Sequence, residues 1–470
     1  MRKNTLKLGI ACISLGLLCG CNQKKQVDYT NQTNQDTVEL EENTPEEIPV
    51  DAEEGICPEI LNYQIHGEQS DVIVIAKTKV PRNYSRCPIV EFTTSPIEDK
   101  DILAYADMIF DKDSHFLYMP YDNEQIAELK NKLTNIKDET EDEELKAFIE
   151  EYHLPNMDLR LQNLSGQSDT ISGEYKFYSV ANADINNTGG ITVYNGGNEY
   201  IDACGLAGTI DGEYYTMNFQ RAGNNSCLLL DRMDNICSVN DAGSECFEVK
   251  LNGNPCTYTQ EEAQELAQEF VEKLGYDNMT VIQNNTAQKY NPNFDLEYYG
   301  EESTIIDGYN IYFARGYEDY SLAFNSMYFE GWLSGAYVFD EDGNMMIGSY
   351  QNPEYIRVYV DSQGVCQLEL WNPWEEKGII ADSPNMIDFE DVDEIAKNEF
   401  ENYTDNYISD YTIDEVVLGY TVVRDGDSVT LVPAWYYYAD IYDETDINFF
   451  KNARVIINAL DGTVEHSFRY

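Results

Sequence analysis

Two acidic turns, eleven cysteines and four histidines are where side chains of this 470-residue chain could do chemistry. The run Asp340-Glu341-Asp342-Gly343-Asn344 puts three carboxylates and an amide on one turn. Clustered hard oxygens suit calcium, which takes about six to eight of them. Asp340, Asp342 and Asn344 are therefore calcium candidates, although Gly343 falls fourth in the run and not sixth as in an EF-hand loop. Asp184, Asn186, Thr188 and Gly189 imitate the start of such a loop, but its twelfth place is Asn195 instead of Glu. A plain hairpin turn explains both runs and is preferred, so no metal site is assigned. His66, His115, His153 and His466 form no His-Glu-x-x-His pair, and none lies beside a cysteine at zinc spacing. The sequence has no Gly-x-Ser-x-Gly elbow and no phosphate-cradling Gly-Lys-Ser/Thr loop. Catalytic carboxylate pairs need set separations and unequal environments, and among 86 acids any spacing arises by chance. No catalytic residue and no cofactor follow from these patterns.

The N-terminus carries an address. Arg2, Lys3 and Lys7 precede an apolar run from Leu8 to Leu18, too short to span a bilayer about 30 Å thick but right for a signal peptide. The run ends in Leu18-Cys19-Gly20-Cys21, which resembles the lipobox of bacterial lipoproteins. The resemblance implies a signal peptide at 1–20 and diacylglycerol on Cys21, with Cys19 where Ala, Ser or Thr is usual. Each buried lipid methylene contributes about 0.8 kcal/mol, so two chains anchor stably. Cys12, Cys19 and Cys21 are thereby accounted for, leaving Cys57, Cys87, Cys204, Cys227, Cys237, Cys246, Cys256 and Cys366. An even number in an exported protein favours disulfides. Cys237 and Cys246 flank the turn Asn240-Asp-Ala-Gly243 and are the disulfide candidates.

Charge narrows the partners. Thirty Lys and Arg stand against 86 Asp and Glu, a formal charge of −56. A nucleic-acid binder needs a basic face to displace counterions, so nucleic acid is excluded. Loss of residues 1–20 removes only basic residues and deepens the imbalance. Residues 21–55 follow the lipid site, and from Gln26 to Gly55 they carry ten acids and no Lys or Arg, which reads as a disordered acidic tether. The remainder holds enough apolar material to fold, since the chain is 42% hydrophobic with 36 Tyr.

Elements that would position any site follow from periodicity. Asp71 to Val80 is β-branched and predicts a strand. Ile97 to Phe110, Asn123 to Lys137 and Glu139 to Tyr152 predict helices. From Gly173 to Val249 short aromatic runs are split by turns such as Asp211-Gly212, so 56–252 is expected to be an α+β domain. Thr259 and Glu262 form a capping box before the stripe Ala263, Leu266, Ala267, Phe270, Val271 and Leu274. Strands follow to Trp371, giving a helix-plus-antiparallel-sheet unit at 253–385. The pattern restarts at Asp388 and gives a second such unit at 386–470. Pro433, which cannot donate to a ladder, implies an edge or bulge. Trp435 is expected between helix and sheet. In Tyr436-Tyr437-Tyr438 the middle ring must face opposite its neighbours, and a strand so rich in Tyr could present an aromatic platform.

The segments Gly419-Tyr420, Leu431-Val-Pro-Ala-Trp435 and Asn458-Ala-Leu-Asp-Gly462 resemble the C-terminal unit of the YycH/YycI regulatory proteins and related PepSY-like modules. The resemblance covers about 260 to 470. The wider arrangement is similar to a group of Gram-positive gut lipoproteins. It implies non-catalytic, extracytoplasmic modules that contact other proteins. This chain carries a lipobox where the first family has a membrane-spanning helix.

The expected function is a non-catalytic binding or regulatory lipoprotein on the outer face of the cell membrane. Its lipid anchor holds the membrane, and its folded units contact an extracytoplasmic protein partner. The alternative is a carbohydrate- or calcium-binding surface protein, and after that a hydrolase.

Overall fold

The computed structural model describes residues 57–67, 71–81, 84–118, 123–154, 175–181, 200–222, 225–234, 256–289, 305–323, 337–339, 345–347, 353–402, 411–425, 428–440 and 451–466. The first strands are β1 (Ile60–His66), β2 (Asp71–Lys79) and β3 (Ile89–Thr94), followed by α1 (Asp99–Ile109) and the short β4 (Phe116–Leu117). Next come α2 (Asn123–Glu139) and α3 (Glu143–Phe148), which runs into a π-helical turn at Ile149–His153. Then follow β5 (Tyr178–Ala181), β6 (Tyr200–Ile210), β7 (Glu213–Ala222), β8 (Asn225–Arg232), α4 (Gln260–Lys273) and β9 (Met279–Lys289). Beyond these lie β10 (Ile305–Tyr317), β11 (Tyr320–Ser321), β12 (Tyr337–Phe339), β13 (Met345–Ile347), β14 (Tyr355–Asp361) and β15 (Gly364–Trp371). The chain closes with β16 (Trp374–Ala381), α5 (Phe389–Asn402), β17 (Tyr411–Asp425), β18 (Ser428–Asp440), β19 (Lys451–Asn458) and β20 (Val464–His466).

The fold is α+β, built on two large sheets. One runs β1-β2-β17-β18-β19-β20, with β3 on β18 and β16 on β3. The other runs β11-β10-β14-β15-β8-β7-β6-β4, with β9 on β10 and β5 on β6. Every pairing is antiparallel except β2 with β17 and an isolated bridge, Leu322 with Tyr420. A helix followed by antiparallel strands occurs twice: α4 with β9-β10-β14-β15, where β11 to β13 intervene in the chain, and α5 with β17-β18-β19-β20. Each helix presents one apolar stripe to its sheet, Ala263, Ala267 and Val271 on α4 and Phe389, Val392, Ala396 and Phe400 on α5. Thr259 caps α4 through its hydroxyl while Glu262 reaches back, so the box read from sequence is formed. Asp211 and Gly212 both take positive φ at the β6–β7 hairpin.

The expected three-part division does not coincide with the sheets. Within 56–252, β1 to β3 join the strands that follow α5, whereas β4 to β8 extend the sheet that follows α4. Two junctions then tie the sheets together. Arg315 on β10 forks onto the fully buried Glu354, at 2.6 Å from Nε and 2.8 Å from Nη2. Glu354 also accepts the backbone N–H of Trp374 on β16 at 2.8 Å, and the guanidinium lies 5.6 Å from the Phe92 ring centre on β3. At the second junction the chain after β11 crosses Gly419 of β17. A Cβ there would sit 2.8 Å from the Ser321 carbonyl oxygen, so only glycine allows the approach.

Pro433 corrects its expectation. It lies inside β18, a central strand, and not at an edge. On one side β18 pairs with β17 throughout. On the other side it pairs with β3 over Ser428 to Leu431 and with β19 from Ala434 onward. Pro433 falls where one neighbour hands over to the next, and its carbonyl accepts from Ala459 on that side. The missing N–H therefore costs no ladder bond. Trp435 is fully buried between sheet and helix, 4.7 Å centre to centre from Phe389. Tyr437 points toward α5, while Tyr436 and Tyr438 stack on the opposite face 5.9 Å apart. All three rings are buried, so they do not form an exposed platform.

Candidate functional site: a buried polar face and an exposed sheet edge

Cys21, the calcium candidates Asp340, Asp342 and Asn344, and the disulfide candidates Cys237 and Cys246 all lie outside the described residues. No two of Cys57, Cys87, Cys204, Cys227, Cys256 and Cys366 are joined, so the disulfides expected from an even count do not form among these six. Burial pushes Cys57 up to about 11 and Cys87 and Cys204 up to about 12. These thiols stay protonated at neutral pH and are not poised as nucleophiles. Among the described residues no group of three or more His, Cys, Asp or Glu is placed to hold a metal.

Chemistry-bearing side chains are instead concentrated on one face of the ten-stranded sheet. Alternation places Ile311, Phe313, Ile356, Val358, Leu368 and Leu370 on the face covered by α1 and α4. The intervening residues share the other face. One row across it is Asn285, Asn310, Tyr359, Gln367, Asp231 and Thr216, each registered against the next. A parallel row is Gln283, Tyr312, Arg357 and Glu369. A polar sheet face is ordinarily wet, yet Asn310, Tyr312, Arg357, Tyr359, Gln367 and Glu369 are all buried.

The face neutralises its own charges. Arg357 binds Glu369 directly, and Glu369 also accepts Trp371 Nε1 at 3.3 Å. Gln367 Nε2 donates to Asp231 at 3.0 Å. Trp371 stacks on Tyr355 with ring centres 6.1 Å apart. Burial, reinforced by Glu369, holds Tyr355 and Cys227 well above their ordinary values, so neither ionises. Tyr359 leans over Gly308, where a Cβ would meet its ring at 2.6 Å, and packs with Ala287 and Cys366. Among the described residues, neither amide atom of Asn310 has a partner, nor do the buried carbonyl oxygens of Gln283 and Gln367. This face holds no paired nucleophile and base.

At the far end of the other sheet, β1 pairs only with β2 among the described residues, which leaves its outer edge open. Beside that edge Ile60, Ile75 and Ile73 are exposed by 64%, 56% and 37%. The inner side of β1 is fastened. Tyr63 donates to Asp393 of α5 at 2.6 Å and Tyr437 to the same oxygen at 3.2 Å. Lys397 pairs with the other Asp393 oxygen at 2.7 Å. The edge is thus presented on a held strand.

Neither feature was singled out by sequence. The period-two pattern in Tyr355-Ile-Arg-Val-Tyr-Val-Asp361 marks the two faces, but an alternating strand is read as half solvent-exposed. The unpaired edge depends on which strand lies last in the sheet.

No protein-family model and no curated protein matches the chain. Two solved structures bear a distant likeness to it. An uncharacterized protein from Eubacterium rectale aligns over 88% of this chain and 96% of its own, at 11% identity and a TM-score of 0.40. The Bacillus megaterium YpeB C-terminal domain aligns over 67% of this chain and 97% of its own, at 10% identity and a TM-score of 0.23. Both are too distant to transfer a function.

Proposed function

We propose that this chain is a surface lipoprotein, a non-catalytic binding or regulatory protein held at the outer face of the cell membrane by lipid on Cys21. Its folded part contacts an extracytoplasmic protein partner. The observation that carries the reading is the open β1 edge with its exposed isoleucines. An extended partner segment adds to such an edge by main-chain hydrogen bonds, with alternate side chains reading the flanking face. Full burial of an isoleucine contributes about 1.5–3 kcal/mol, and covering the exposed part of each of these gains a corresponding fraction. The lipobox and the PepSY-like, YycH/YycI-like segments support a role in contact with other proteins.

The test places a photo-crosslinking residue at Asn62 or Gln64, both exposed on β1, in intact cells. One protein should be captured at both positions and lost when Ile60→Asp and Ile75→Asp are combined, with no change in the melting temperature. Absence of any protein adduct at either position would sink the reading.

A further inference from the structure

We propose that the partner at the β1 edge is a second copy of this chain, joined by antiparallel pairing of β1 with β1 about a two-fold axis at Tyr63. The inference rests on the reading of β1 as a docking edge and names its occupant.

The strand is symmetric in polarity about its own middle. Outward from Tyr63 it carries an amide on each side, Asn62 and Gln64, and then an aliphatic residue on each side, Leu61 and Ile65. A two-fold interface requires a patch that complements itself, whereas a foreign strand makes no such demand. The axis at Tyr63 sets Asn62 opposite Gln64 of the second copy and Leu61 opposite Ile65 of the second copy. Amide thus meets amide on the exposed face, and aliphatic meets aliphatic on the inner face.

The backbone fits the same axis. The Thr78 N–H donates to the Glu59 carbonyl oxygen opposite it at 3.0 Å, so these two form a bonded pair. Alternation from there gives Leu61, Tyr63 and Ile65 the bonds to β2 and turns the N–H and C=O of Ile60, Asn62, Gln64 and His66 outward. Pairing about Tyr63 places these four opposite one another, outward group to outward group. A slip of one residue would set outward groups against inward ones and exchange the faces.

Charge also favours this meeting place. Two copies at −56 each repel wherever acids face one another, but β1 holds no Asp, Glu, Lys or Arg. Across the pair one row reads Ile75, Asn62, then Gln64 and Ile73 of the second copy. The next row reads Lys77, Ile60, then His66 and Asp71 of the second copy, so no like charges align. Other long edges among the described strands are blunted. The ladders that hold β9 and β16 each contain two register shifts, and β16 carries Glu375, Glu376 and Lys377. The register of β1 on β2 is unbroken.

The experiment uses the full lipoprotein. Asn62→Cys and Gln64→Cys are placed in two differently tagged chains and oxidised in intact cells. The axis brings position 62 of one copy about 5.5 Å from position 64 of the other, Cα to Cα, within disulfide reach. Like positions lie two residues out of register, beyond the reach of about 7 Å. The mixed pair should therefore crosslink several-fold more than either variant alone. The detergent-solubilised chain should sediment as a dimer whose fraction rises with salt, because screening weakens the repulsion between acidic copies. Combining Asn62→Glu with Gln64→Glu, both on the exposed face, should give a monomer with unchanged circular dichroism. Equal crosslinking of mixed and single variants, or a chain that is monomeric at every salt concentration, overturns the inference. Photo-crosslinkers at Asn62 and Gln64 that capture a different protein and no second copy also overturn it, while the docking-edge reading stands. No adduct of either kind overturns both.

Discussion

His153 is held neutral by burial. Its Nδ1 meets the Tyr118 hydroxyl, and its Nε2 lies 3.5 Å from the Met233 carbonyl oxygen. Burial pushes its pKa from 6.5 down to about 4. The unfolded chain therefore binds a proton between those values that the folded chain refuses, and stability falls as pH drops through that window. The loss is fully developed near pH 4 and amounts to about 3 kcal/mol. In His153→Phe, urea unfolding at pH 7 and pH 5 should differ by less than in the unaltered chain. An identical pH dependence in both would refute this account. Asn310 and Glu354 show the same physics with different outcomes. Glu354 is fully buried but finds Arg315 and a backbone N–H, whereas the Asn310 amide finds no partner among the described residues.

At the scale of elements, much was legible. The capping box and apolar stripe of α4 and the Asp211-Gly212 hairpin are local patterns, and each forms where the spacing placed it. Pro433 was misread because its neighbours come from β3 and β19, far apart in sequence. Gly419 carries no sequence signal either; its role is to admit the chain near Ser321. Gly419→Ala should destabilise by about 1–3 kcal/mol, since the new methyl meets backbone that cannot swing aside. Chemical denaturation measures the change. No loss of stability would mean that the crossing strand is not held there.

At the scale of the whole molecule, the strands of 56–252 are divided between two sheets, and the Arg315–Glu354 pair and the Gly419 crossing join those sheets. No disulfide joins any two of the six described cysteines. Denaturation and alkylation without reductant should therefore add at least six alkyl groups by intact mass. Fewer would mean that some of these thiols are paired. Among the described residues, the buried carboxylates Glu354, Asp361, Glu369, Asp393 and Glu415 are each matched to an Arg or Lys.

The α+β class, the twice-used pattern of a helix and antiparallel strands and the sharing of faces along each strand were legible in the sequence. Those properties rest on periods of 3.6 and 2, which are local. That β1 is an edge among the described strands, that Pro433 sits at a handover and that the polar rows are buried follow from long-range pairing. Strand pairing is made by backbone hydrogen bonds that carry little residue identity, between segments hundreds of positions apart. Alternation can say that Asn310 and Ile311 point opposite ways. It cannot say that the amide side is buried as deeply as the isoleucine side.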